Sequence, residues 1–198
     1  MKRIMFLLTL IFPLLTVYSC GQTRESSKAN DDQQKELKGI IRAYSDKVEE
    51  ILEKNEILTS FDFFLYDITR DGVPELWVDH GSCEADRYLD IYTYENRHAK
   101  LLYNCGIDHA EFHQGKDYIL MWQAHMGLSD WHHFTYDGKI KDTIVFEQHL
   151  KEEQIVLDYI EPQEPEVPSF ASNEQTEDVE EYIAGVVSRL LVEEGNNR

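Results

Sequence analysis

The sequence predicts an α+β domain: an antiparallel β-meander sheet packed by an N-terminal and a C-terminal amphipathic helix. Three observations carry this expectation. Leu37, Ile40, Ile41, Tyr44, Val48, Ile51 and Leu52 recur at helical spacing. Between residues 61 and 160 the period becomes that of strands, and turn dipeptides punctuate it. A second helical stripe follows at Val179, Ile183, Val186, Val187, Leu190 and Leu191.

Residues 1–19 stand apart from that domain. Lys2 and Arg3 precede an apolar run over 4–18 that is broken only by Thr9, Pro13 and Thr16. The run is too short to span a bilayer as a helix and has the flanks of a signal peptide. It ends in Val17-Tyr18-Ser19-Cys20-Gly21, which resembles the lipobox of bacterial lipoproteins. The resemblance implies that Cys20 is acylated with palmitate-type chains and becomes the new N-terminus. The protein is then expected in the bacterial cell envelope, lipid-anchored and facing the periplasm or the cell exterior. Residues 20–30 read as the lipidated cysteine and a polar tether. Residues 31–198 read as a single domain, by length.

Charge limits the partners. With Lys2 and Arg3 removed, 17 basic residues face 38 acidic ones, a balance of −21 with histidine neutral. A polyanion repels nucleic-acid phosphates and anionic headgroups, so the membrane is reached through the anchor and nucleic acid is excluded. An envelope protein or glycan is the expected partner, and acidity would steer a basic one. Once Cys20 is spent on lipid, Cys83 and Cys105 remain as a pair that an oxidising compartment would allow to form a disulfide.

Each element has a local reason. Asp31 with Gln34 forms a capping box that starts the first helix, and Glu36, Arg42, Asp46, Glu49, Glu50 and Glu53 fill its polar face. Strands are expected over 61–68, 73–80, 88–95, 99–105, 118–125, 131–137, 140–147 and 154–160, all rich in aromatic and branched residues. Asp71-Gly72, Glu95-Asn96 and Asp137-Gly138 mark tight turns, and short connections make antiparallel neighbours. Pro162, Pro165 and Pro168 among acids make 161–171 an extended linker. Ser172 with Gln175 offers a second capping box, and Asp178, Glu180 and Glu181 lie where the helix dipole favours negative charge.

The chemistry centres on Asp67-Ile68-Thr69-Arg70-Asp71-Gly72-Val73-Pro74-Glu75. Calcium needs six to eight oxygens, so a short loop must aim alternate side chains inward. Asp67, Thr69, Asp71 and Glu75 hold positions one, three, five and nine. Gly72 permits the sharp turn, and Val73 offers a carbonyl. The stretch resembles the D-x-[DN]-x-D-G loop of EF-hands, dockerin-like modules and the calcium loops of some extracellular β-repeat proteins. It resembles more closely a loop-plus-strand motif, D-x-x-x-D-G-x-P-E-L, of secreted and lipid-anchored bacterial proteins that share no agreed activity. That resemblance implies a calcium-type loop feeding a strand. Val78 stands at position twelve, and a strand rather than a helix follows, which rejects a true EF-hand. The same residues also suit a plain hairpin in which Asp67 accepts backbone N–H bonds.

Histidine supplies the alternative metal site. If 108–114 is extended, His109, Glu111 and His113 share one face, and two nitrogens with a carboxylate would suit zinc. Asp108 is then a second-layer acceptor. His132 and His133 point to opposite faces of their strand. Trp77, Trp122 and Trp131 suit either a core or a sugar- or peptide-binding surface. No G-x-S-x-G elbow, Ser-His-Asp order or phosphate-cradling glycine loop is present. The sequence therefore predicts a non-enzymatic binding or scaffolding protein. Two alternatives stand beside it: a metal-dependent hydrolase built on His109 and His113, and an inhibitor or immunity-type protein that binds a basic partner.

Overall fold

The computed structural model describes residues 22–54, 60–83, 86–125, 128–149, 163–168, 170–171 and 179–196. The leader, Cys20, the strand expected over 154–160 and the Ser172/Gln175 cap lie outside the described residues. The chain divides into two units, residues 1–38 and 39–198. In the first, the described residues are helical. Helix α1 runs from Gln22 to Lys54, so it begins nine residues before the expected Asp31 cap and takes up most of the expected polar tether. Gln, Arg, Glu, Lys and Ala in that stretch are good helix formers, and neither Gly nor Pro interrupts before Gly39.

The second unit is α+β, with every strand pairing antiparallel. Its strands are β1 (Ser60–Tyr66), β2 (Glu75–Gly81), β3 (Arg87–Glu95), β4 (His98–Ile107), β5 (His109–Gln114), β6 (Ile119–His125), β7 (Leu128–Tyr136), β8 (Ile140–His149) and β9 (Phe170–Ala171). Helix α2 spans Val179–Asn196. The expected single meander is split into two sheets, ordered β4-β3-β2-β1-β9 and β5-β6-β7-β8. Asp108 alone separates them in sequence.

The split has a physical reason. Successive strand side chains face opposite sides. In β1, Phe64 and Tyr66 point one way while Phe61, Phe63 and Leu65 point the other, and all are buried. A sheet apolar on both faces needs a layer on each. The helices supply one: Ile40, Tyr44 and Val48 of α1 and Ile183 and Val187 of α2 are buried. Tyr44 donates to the Pro74 carbonyl at 2.9 Å, and Tyr182 meets Phe63 edge-on at 5.4 Å. The second sheet supplies the other. Trp77 stacks on Phe64 at 5.3 Å and meets Phe134 of β7 edge-on at 5.7 Å. Ile119, Met121 and Ile140 complete this inter-sheet core.

Two strands were not expected. β5 forms its own strand, and β9 adds to the edge of β1 from inside the expected linker. Of that linker, residues 165–167 lie against β5, with Glu166 bridged to His113. Gln114 N–H donates to Pro165 at 2.9 Å, and Val167 N–H donates to Phe112 at 2.9 Å. Among the described residues no helix is long and apolar enough to cross a membrane.

Candidate functional site

The acidic loop follows β1 and is folded by its own carboxylates. Arg70 and Gly72 take left-handed backbone conformations, with φ of 61° and 86°. Asp67 Oδ1 accepts from the Arg70 N–H at 2.6 Å and the Thr69 hydroxyl at 3.4 Å, and its Oδ2 accepts from the Gly72 N–H at 3.0 Å. Asp71 Oδ1 accepts from the Val73 N–H at 2.8 Å. Glu75 is fully buried. Its Oε2 accepts from the Ile68 and Thr69 N–H groups at 3.0 and 3.3 Å. Its Oε1 accepts from the hydroxyls of Thr69 at 3.2 Å and Thr93 at 3.3 Å. Burial pushes the Glu75 carboxyl up to about 7. The loop N–H groups oppose this, and the charges of Asp67 and Asp71 add to it. Arg70 ties the loop to the β5–β6 turn, 3.3 Å from Asp117. The structure thus gathers the three acids and turns these oxygens toward loop donors.

The second cluster is less convergent. β5 is extended, so His109, Glu111 and His113 do share a side of the strand. At about 3.3 Å per residue the two histidines are roughly 13 Å apart along it, too far to ligate one ion together. His109 is exposed, whereas His113 is buried with its ring 5.7 Å from that of Trp131. No group of three or more His, Cys, Asp or Glu side chains among the described residues is arranged to hold a metal ion. His132 and His133 face opposite sides as expected: His132 meets Asp142, and His133 meets the Tyr118 ring at 4.6 Å.

The disulfide is not formed; Cys83 and Cys105 are free thiols. Cys105 pairs with Leu89 inside the β3–β4 ladder, while Cys83 lies exposed in the β2–β3 connection. Burial raises the Cys105 thiol to about 11, which makes it a poor nucleophile at neutral pH.

A site not expected from sequence lies where β5 and residues 163–168 meet β1 and β2. It is a cleft of about 220 Å³ lined by Asp62, Asp79, Glu111 and Glu166, with His109 beside them and Phe64 and Phe112 among its walls. The two rings stand 5.2 Å apart. Asp62 lies directly across the ladder from Asp79. Burial raises the carboxyl of Asp62, with the Asp79 charge adding to the effect. Burial also raises Asp79, although Arg87 holds it by a two-pronged ion pair, Nε to Oδ1 at 3.0 Å and Nη2 to Oδ2. One signal for this site was present: Asp62 and Asp79 stand next to the apolar runs Phe63-Phe64-Leu65 and Leu76-Trp77-Val78, which puts acids inside.

Comparison with protein-family models, with characterised proteins and with solved structures returned no match.

Proposed function

We propose that this is a lipid-anchored, extracytoplasmic binding protein that takes a cationic group of its partner, a Lys or Arg side chain of an envelope protein, into the acidic cleft. The cleft carries this reading. Asp62, Glu111 and Glu166 border aromatic walls beside the Arg87-paired Asp79, a setting that attracts a cation through both charge and ring face. The chain's balance of −19 would steer a basic partner toward it. The anchor rests on Cys20 and the apolar run before it.

The test has two arms. Native envelope is passed over the protein at low and high salt, beside an Asp62→Asn/Glu166→Gln variant. A partner captured at low salt, released at high salt and bound at least about tenfold more weakly by the variant supports the reading. Equal capture by both proteins overturns it. For the anchor, Cys20→Ser is expected to move the protein from the membrane to the soluble fraction; an unchanged distribution overturns that part.

Calcium at Asp67, Asp71 and Glu75 is the second reading. What supports it is three carboxylates on one short loop around the buried Glu75, whose carboxyl pKa burial raises and the Asp67 and Asp71 charges raise further. As folded these oxygens serve loop donors and are not arranged as a ligand set, so calcium would have to turn them inward. Millimolar calcium is then expected to raise the melting temperature relative to chelator, and Asp71→Ala to abolish that rise. No rise in the parent protein rejects it.

A further inference from the structure

His132 sits on β7 among groups from several other elements. Its Nδ1 lies 2.7 Å from Asp142 Oδ1 on β8. Its Nε2 faces two groups at once. The side-chain amide nitrogen of Gln123 on β6 is 3.0 Å away, and Asp130 Oδ1 on β7 is 3.2 Å away. The far end of Gln123 is pinned, because its Oε1 accepts from the Asp108 backbone N–H at 3.2 Å. The amide therefore presents its NH₂ to the imidazole. On the other side, Tyr103 of β4 donates to Asp142 Oδ2 at 3.2 Å, and the Cys105 thiol borders both Tyr103 and Asp142. Asp130, Asp142, Tyr103 and Cys105 are the titratable groups gathered around the ring among the described residues, with Asp108 joined through its backbone.

One ring nitrogen cannot serve a donor and an acceptor at once. Gln123 needs Nε2 as a bare acceptor, whereas Asp130 needs it to carry a proton. In the structure the Gln123 contact is made, and Asp130 Oδ1 is buried without a hydrogen-bond partner. We propose that His132 is a proton-operated switch at the junction of the two sheets. As a neutral ring it accepts from Gln123, which in turn holds Asp108, the single residue between β4 and β5. As an imidazolium it donates to Asp130 and releases the Gln123 amide. Burial works against the charged ring, but Asp142 and Asp130 outweigh it and hold the pKa above the ordinary 6.5. The two carboxylates thus favour the charged ring. It does not depend on what the cleft binds.

The experiment is a pH titration of the full chain in detergent, labelled with ¹⁵N and ¹³C and followed by nuclear magnetic resonance. On the alkaline side the His132 ring is expected to carry its proton on Nδ1. Through its titration, the Gln123 side-chain NH₂ and the Asp108 amide are expected to shift with the same midpoint. Asp130→Asn is expected to lower that midpoint by about one pH unit and to leave the alkaline Gln123 signal in place. An Nε2–H tautomer at high pH, or a His132 titration that leaves Gln123 and Asp108 unmoved, overturns the proposal. The unsubstituted protein decides the matter if Asp130→Asn does not fold.

Discussion

Glu75 is an acid with no solvent contact that does the work of a loop's backbone. Its two oxygens serve two N–H groups and two hydroxyls, so truncation orphans several donors at once. Glu75→Ala is expected to lower stability by about 2–4 kcal/mol, read from denaturant midpoints. Its titration has a definite sign. The folded-state value of about 7 lies above the ordinary 4.5, so the folded protein binds this proton more tightly. The contribution is present below pH 4.5 and lost as pH rises to 7, a fall of roughly 3 kcal/mol. Asp79 and Arg87 make the complementary case, a buried ion pair. Arg87→Met strands a buried carboxylate and is expected to cost about 3–5 kcal/mol. The double variant with Asp79→Asn is expected to lose less, measured in a double-mutant cycle.

At the level of elements, much of the fold was legible. The apolar stripes found both helices, and turn dipeptides found the β1–β2, β3–β4 and β7–β8 connections but not those between β2 and β3, β5 and β6, or β6 and β7. The β3–β4 turn falls on Asn96-Arg97, one residue beyond the expected Glu95-Asn96, and both residues take positive φ, 54° and 68°. Arginine pays for that geometry where glycine would not, so Arg97→Gly is expected to stabilise by roughly 0.5–1 kcal/mol. A higher melting temperature in the variant is the check. The partition into two sheets leaves no mark in the sequence period, although Phe63-Phe64-Leu65-Tyr66 requires cover on both faces. Sequence period gives the pairing of neighbours but not which sheet stacks on which. β9 escaped notice because two residues give no period, and their pairing with β1 is set by chain return. The acidic loop was visible as a pattern of acids at the right spacing. The cleft was not, because its acids come from four separate segments.

For the molecule as a whole, His132 and Glu75 act in the same direction. His132 is raised above 6.5, so its share of stability is complete below that pH and lost as pH rises through its folded value. Denaturant midpoints are therefore expected to fall between pH 5 and pH 8, and a flat or rising profile contradicts both shifts. The second unit also has a strongly sequential wiring. From β1 to β4 and from β5 to β8, every strand pairs with the one before it, whereas β9 returns to β1 across more than a hundred residues. A growing polypeptide can thus zip its hairpins in order as each is completed. Only the final docking must wait for the tail, and until then the flank of β1 stands open to any stray extended segment.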